Sequence, residues 1–229
     1  MKAVVKIGGS SLFDSEGKLQ PEIISKFSSL IKEFVQEGNS CAVVVGGGKI
    51  ARKYIQAANI IGGTKAELDH FGIDCTRLNA KLVILALKPY SYSFIPTNQE
   101  EIQEAFLSEK IVVSGGMKPG QSTNAVAAQI SEIMGADKLI NISNVDYIYD
   151  KDPRIYDDAQ PIYEMKTSEL LEIMKQSEQE PGKYGGFDRV GTEILARSKI
   201  VLQFINGDDP TNLKKALKGE KIGSIVKPN

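Results

Sequence analysis

Short apolar runs that break into glycine alternate along this chain with longer segments of helical spacing. Residues 2–7 read as a short apolar strand interrupted by Lys6, and Gly8-Gly9-Ser10 turns the chain at its end. From residue 21 to 37, apolar side chains fall at Ile23, Ile24, Phe27, Leu30, Ile31, Phe34 and Val35. That spacing predicts a helix with one apolar stripe, opened by Pro21 and stopped by Gly38. A β-branched strand over 41–45 ends in Gly46-Gly47-Gly48, and a basic helix follows to about residue 58. After Gly62-Gly63, a polar stretch holding Asp69, His70 and Gly72 leads into a strongly apolar helix over 73–87. Residues 89–96 are tyrosine-rich and irregular, with room for a short strand; 99–107 is helical and 110–113 a strand.

The remainder continues the alternation. A loop over 117–121 precedes an alanine-rich helix over 122–134 and a strand over 137–142. Residues 150–153 form a turn, and 167–175 a helix with Thr167 as its cap and Glu169 in its first turn. The charged, glycine-bearing segment 177–186 is expected to be mobile. A helix over 188–198, a strand over 199–205, a short helix over 210–217 and a closing edge strand over 223–226 complete the order. Strand, turn and helix in repetition predict an α/β fold, a three-layer α/β/α sandwich on a mostly parallel sheet. With no internal repeat, linker or low-complexity tract, residues 1–229 read as one domain.

Charge narrows the function classes. Lys plus Arg number 28 against 29 acidic residues, so no basic field favours nucleic acid or a membrane surface. No apolar run approaches transmembrane length, and residues 1–11 carry charge inside their apolar run, unlike a signal peptide. The expected compartment is the cytoplasm. Cys41, at the start of a strand, and Cys75, in an amphipathic helix, read as reduced core thiols. With a single histidine, no zinc-ligand spacing exists and no metal ligand is assigned.

The candidate chemistry lies where strands break into glycine, at Gly8-Gly9, at the 46–48 triplet and at Gly115-Gly116. Glycine there permits a sharp turn and close approach, and unpaired N–H groups at a following helix N-terminus favour an anion. Each junction is also what a simple tight turn would use. Read as anion sites, Gly8, Gly9 and Ser10 supply backbone donors and the 46–48 triplet a second nest. Lys6 supplies a point charge on the sheet floor, costly to bury without an anion partner. Arg52, one turn into the following helix, can fork onto phosphate oxygens.

The ordered set of motifs resembles the amino acid kinase family, and within it the uridylate kinases of archaeal type. It runs from Lys6-Ile7-Gly8-Gly9-Ser10 through Val44-Val45-Gly46-Gly47-Gly48-Lys49-Ile50-Ala51-Arg52 to Asp69-His70-Phe71-Gly72-Ile73. It continues with Gly115-Gly116-Met117-Lys118-Pro119-Gly120-Gln121-Ser122-Thr123, then Asn144-Val145-Asp146-Tyr147-Ile148-Tyr149-Asp150-Lys151-Asp152-Pro153, and ends at Asp188. The resemblance implies ATP and UMP lying end to end over the carboxyl edge of the sheet. It implies Mg²⁺-dependent transfer of the γ-phosphate to UMP in pyrimidine nucleotide biosynthesis, by hexamers assembled from dimers. Phe27, read as an apolar outward candidate on its helix, fits such assembly.

By the same resemblance, Gly47 contacts UMP, Gly48 and Arg52 the phosphate region next to ATP, and Asp69 the UMP ribose hydroxyls. Met117, Lys118, Pro119, Gly120, Gln121, Ser122 and Thr123 enclose UMP, with Thr123 near its phosphate. Ser143, Asn144, Tyr149 and Asp152 hold the nucleotide end of ATP. From local chemistry alone, Asp69 also suits a helix cap, Tyr149 a strand aromatic and Asp152 a turn. Many relatives carry aspartate where Asn124 stands; asparagine keeps the size and one acceptor but lacks the charge that organises cations. Asp188 is the candidate to share that task. Two other readings are a kinase of the same family acting on a carboxylate or small phosphate ester, and a storage protein that binds oxyanions or nucleotides without turnover.

Overall fold

The computed structural model describes residues 1–153, 155–178 and 187–229. The chain begins with β1 (Lys2–Ile7), a 3₁₀ turn (Gly9–Leu12), α1 (Pro21–Gln36) and β2 (Ser40–Val45). Next come α2 (Gly48–Ile61), α3 (Lys65–Leu87), α4 (Gln99–Phe106), β3 (Val112–Ser114), α5 (Thr123–Met134) and β4 (Lys138–Ser143). A small antiparallel pair, β5 (Ile148–Tyr149) and β6 (Pro161–Ile162), precedes β7 (Glu164–Lys166) and α6 (Thr167–Glu178). The last elements are α7 (Arg189–Ser198), β8 (Val201–Asn206), α8 (Thr211–Leu217) and β9 (Ser224–Lys227). Of the segment expected to be mobile, residues 179–186 lie outside the described residues, and its first two end α6.

The central sheet has the order β3-β2-β1-β4-β8-β9-β7. Neighbours run parallel except β8 and β9, which pair antiparallel. The closing strand is therefore not an edge: β9 lies inside the sheet and β7 takes the edge. Alternate residues of the strands feed two cores. On one face, Val5, Ile7, Val43 and Ile140 pack against Ile24, Phe27 and Ile31 of α1, Val83 and Leu87 of α3, and Leu213 of α8. On the other, Val4, Val44, Leu139 and Phe204 meet Ile102 of α4, Val126 and Ile130 of α5, Leu170 of α6 and Leu195 of α7. Helices on both faces give the three layers that the alternation of elements predicts.

Three expectations change. Phe27 is 1% exposed and belongs to the first core, so it presents nothing to a partner. It shares the stripe of Ile24, Ile31 and Phe34, at spacings that return to one helix face. Residues 65–72 are not a separate polar stretch but the first two turns of α3. Thr64 caps that helix, accepting from Glu67 N at 3.4 Å, while Glu67 Oε2 accepts from Thr64 N at 2.8 Å. Gly72 is tolerated inside the helix where α2 lies close, since a Cβ there would stand 3.3 Å from Ile55 Cδ1. Thr167 opens α6 without acting as a side-chain cap: it is buried and its Oγ1 has no hydrogen-bond partner, while Glu169 accepts from Lys166 N at 2.6 Å. Cys41 and Cys75 are free and buried, and burial pushes the Cys41 thiol up to about 12, which makes it unreactive.

Candidate functional site

The carboxyl ends of β1, β2 and β4 meet the N-termini of α2, α5 and α7 at one edge of the sheet. There the first two glycine junctions pack into each other. Gly8 N donates to Ile142 O at 2.9 Å and Gly46 N to Ile7 O at 2.9 Å, so each ladder continues one residue beyond its strand. Gly8 is therefore no backbone donor for an anion; its N–H already has a carbonyl. Its lack of a side chain lets β4 lie close instead, since a Cβ there would stand 2.6 Å from Ile142 O, with Lys6 Nζ 3.7 Å away. Gly9 lies on the backbone of the second junction, where a Cβ would come within 2.0 Å of Gly48 N. Gly48 itself has φ +67°, a conformation that favours glycine. Ser10 sits within the 3₁₀ turn that follows.

α2 starts without a side-chain cap, leaving its first-turn N–H groups available. Gly47, Gly48 and Arg52 form one wall of a cleft of about 510 Å³. Asp69, Lys118, Gly120, Gln121, Ser122 and Thr123 line the rest of it. Arg52 is exposed and has no ion-pair partner among the described residues. Asp69 Oδ2 accepts from Gly120 N at 2.7 Å, which ties the tip of the 116–123 loop to α3. Asp69 is not a cap, because Thr64 holds that position. Met117 and Pro119 do not line the cleft; Met117 packs into the second core.

The third glycine junction serves a different purpose from the one expected. Gly116 N donates to Thr76 Oγ1 at 2.6 Å, and a Cβ on Gly115 would stand 2.5 Å from that oxygen. These glycines let a loop lie against α3 rather than form an anion nest. Asn79 Nδ2 donates to Gly46 O at 2.8 Å, and Arg77 Nε to Gly116 O at 3.2 Å. Sequence reasoning passed over these three side chains. Their signal was available, as polar residues interrupting the apolar run of 73–87.

Beneath the cleft lies a polar floor. Lys6 of β1 is in register with Asn141 of β4, on the face covered by α5. Burial draws the Lys6 ammonium down to about 8, partly opposed by the charge of Asp188. Asn141 Oδ1 is buried without a hydrogen-bond partner, as is Asn124 Oδ1 in the first turn of α5. Asp188 caps α7, its Oδ1 accepting from Gly191 N at 2.9 Å, and its Oδ2 accepts from Ser122 Oγ at 2.8 Å. Among the described residues no group of three His, Cys, Asp or Glu converges as a metal cage would require.

The residues expected at the far end of ATP fall in a separate place. Ser143 ends β4 and its carbonyl accepts from Gly207 N at 2.8 Å; Asn144 is exposed and Asp152 is buried. Tyr149 stands edge-on to Tyr147 at 6.2 Å, and Tyr147 edge-on to Tyr163 at 5.0 Å. Burial, with the nearby Asp146 charge, raises the Tyr149 phenol. Tyr147 and Tyr163 line a second cavity of about 370 Å³ with Asp146, Asn206 and Gly223. Asn206 Nδ2 donates to Asp146 Oδ1 at 2.7 Å, an arrangement not read from the sequence.

A family model described as the amino acid kinase family matches residues 1–206. A uridylate kinase of Methanobrevibacter smithii is 40% identical over 226 residues, covering 99% of this chain and 99% of the relative. One from Sulfurisphaera tokodaii is 42% identical over 232 residues, covering 100% of both. The crystal structure of a uridylate kinase from Archaeoglobus fulgidus superposes with a TM-score of 0.87 at 36% identity, covering 99% of this chain and 100% of that one. A UMP kinase structure from Bacillus anthracis shares the fold, with a TM-score of 0.80 at 19% identity.

Proposed function

This chain belongs to the amino acid kinase family, and we propose that it is a UMP kinase, transferring the γ-phosphate of ATP to UMP to give UDP and ADP. The observation that carries the reading is the lining of the cleft. An uncapped helix N-terminus and a guanidinium with no ion-pair partner among the described residues line the same cleft of about 510 Å³ as a carboxylate and a polar loop. The first two suit phosphate and the last two suit ribose hydroxyls, the two recognition features of a nucleoside monophosphate.

Transfer between phosphates needs little covalent chemistry from the protein, because the attacking UMP oxygen is already ionised. It needs in-line placement and positive charge around the moving group. The first-turn N–H groups of α2 and the Arg52 guanidinium hold the phosphates of donor and acceptor at the junction. The Lys6 ammonium rises from the floor beside Gly8 and gains its partner as charge develops on the transferring oxygens. Asp69 accepts hydrogen bonds from the ribose hydroxyls, and Lys118 with residues 120–123 encloses UMP. Ser143, Asn144, Tyr149 and Asp152 hold the other end of ATP, and the second cavity takes its base. A magnesium ion bound mainly to the phosphates would need only one or two protein oxygens; the unpartnered Asn124 Oδ1 and Asn141 Oδ1 are the ones the floor would offer, with Asp188 as nearby fixed charge. Its chemistry there is neutralisation of phosphate charge.

The wider reading is a cytoplasmic enzyme of pyrimidine nucleotide biosynthesis, assembled as a hexamer. No helix among the described residues is long and apolar enough to cross a membrane. Exposed apolar side chains suited to assembly sit on α2 and α3, at Ile60, Ile61, Leu78 and Leu85. The test is a substrate panel of UMP, CMP, dUMP, acetylglutamate, carbamate and isopentenyl phosphate with ATP and Mg²⁺, scored by ADP release. Preference for UMP is expected. Preference for a carboxylate or isopentenyl phosphate, or nucleotide binding with no turnover of any acceptor, overturns the reading.

A further inference from the structure

Thr76 and Asn79 stand three residues apart on the buried face of α3, and each holds a different glycine loop. The Thr76 hydroxyl is used in both directions. It accepts from Gly116 N at 2.6 Å and donates to Ile73 O at 2.6 Å. Asn79 Nδ2 donates to Gly46 O at 2.8 Å and to Gly47 O at 3.3 Å. Both side chains are buried, 5% and 3% exposed, so water does not replace them readily. Residues three apart share a helix face. Here that face reaches from the phosphate wall at the start of α2 to the root of the acceptor loop.

We propose that Thr76 and Asn79 are positioning residues, which set the span between the phosphate wall and the 116–123 loop and so place the acceptor nucleotide for transfer. The proposal rests on the UMP kinase reading. The loop is tied by Thr76 at its root, by Asp69 at Gly120 with 2.7 Å, by Gln129 at Gln121 with 3.1 Å and by Asp188 at Ser122 with 2.8 Å. Arg77 reinforces the root through Gly116 O and Met117 O, at 3.2 and 3.3 Å. Without the Thr76 hydroxyl, the Gly116 N–H is left buried and unpaired, and the root of the loop relieves this by shifting while its other ties hold. The acceptor then shifts while the floor and the ATP end stay in place. Small misplacements weigh heavily on a reaction that depends on alignment. A purely structural role would instead lower stability and leave the two substrates equally affected.

The hydroxyl is isolated by comparing Thr76→Val, which keeps the shape, with Thr76→Ser, which keeps the oxygen. Steady-state kinetics, melting and hydrogen exchange of the peptide containing Gly116 are measured on the full chain. Thr76→Val is expected to raise the UMP KM about tenfold or more, as loss of a buried hydrogen bond implies. It should leave the ATP KM within about twofold and speed exchange at Gly116. Thr76→Ser should remain close to the parent in all three. Equal impairment of the two variants, an unchanged UMP KM in Thr76→Val, or parallel rises in both KM values overturns the proposal. If Thr76→Val does not fold, Thr76→Ala replaces it, since Ala and Ser differ only by the hydroxyl. Absence of UMP phosphorylation in the parent protein overturns the kinase reading instead. Hydrogen exchange then still decides whether the Thr76 oxygen anchors the loop.

Discussion

Ser122 Oγ donates to Asp188 Oδ2 at 2.8 Å, joining the cap of α5 to the cap of α7 by one hydrogen bond. Ser122 Oγ also accepts from Ala125 N at 3.0 Å, and Asp188 Oδ1 from Gly191 N at 2.9 Å. Two positive helix ends and the Lys6 ammonium thus share one carboxylate. Both of its oxygens are engaged, so it serves as fixed charge rather than as a base, which transfer to an ionised phosphate does not require.

Substitutions at this pair separate the cap from the charge. Ser122→Ala should cost about 1 kcal/mol of stability through loss of the α5 cap, and raise the UMP KM as the loop loses its far tie. Asp188→Asn keeps a good capping residue and should change melting little, while lowering kcat. Unaltered melting in Ser122→Ala, or a large loss of stability in Asp188→Asn, would contradict this division.

Lys6 gives the site its pH dependence. Its ammonium is drawn from 10.5 to about 8 by burial, with Asp188 the acidic group opposing that shift. Between those values the unfolded chain holds a proton that the native chain has released, so this group makes stability rise with pH there. Activity runs the other way, because transfer uses the charged form. Its kcat/KM should fall as pH rises through about 8, and kcat at higher pH, since bound phosphates favour the ammonium. Lys6→Met should flatten the stability trend, melt higher at neutral pH, and lose kcat far more than it raises either KM. A loss confined to the UMP KM would remove Lys6 from the transfer step.

How far the sequence reached depended on the length of each signal. β1 and β2 announce themselves by β-branched runs, and α1 by its stripe, whereas β5, β6 and β7 are too short for any period to emerge. The start of α3 was decided by Thr64 and Glu67, a local capping pair that outweighs the apparent break at Gly72. At the site, Gly47, Gly48, Arg52 and Asp69 do converge on one cleft. A glycine in a sequence says only that a backbone comes close to something. At Gly9 that something is Gly48, and at Gly115 it is Thr76, which no local pattern distinguishes from an anion.

Asp69 offers a test of acceptor specificity. Its Oδ2 already accepts from Gly120 N at 2.7 Å, which leaves Oδ1 as the acceptor for ribose. The protein should prefer UMP to dUMP, because loss of a substrate hydroxyl leaves a carboxylate oxygen underpaired at a cost on the order of 1–3 kcal/mol. Asp69→Ala should narrow that preference and also raise the UMP KM, through release of the loop tip. Competition assays with both substrates check it; an unchanged ratio would leave Asp69 with the loop tie alone.

Asn124 stands in the first turn of α5 with its Oδ1 buried and unpartnered, at the position where the family resemblance leads one to expect aspartate. Asn124→Asp is nearly isosteric; the α5 N-terminus favours the added negative charge while burial opposes it, so the fold should tolerate it with little change in melting. Two kinetic outcomes differ physically. If the floor lacks a cation-organising group, the new carboxylate supplies it and kcat rises at saturating Mg²⁺. If the floor is already balanced by Asp188, a second carboxylate repels nucleotide phosphates, raising both KM values and lowering kcat. The first outcome is expected. Asp188 has both oxygens occupied by Ser122 and Gly191, while Lys6 and Arg52 remain without hydrogen-bond partners among the described residues and can balance the added charge. Steady-state kinetics of both forms across a Mg²⁺ series decides it. A fall in kcat for Asn124→Asp would show that the native amide belongs to a site already in charge balance.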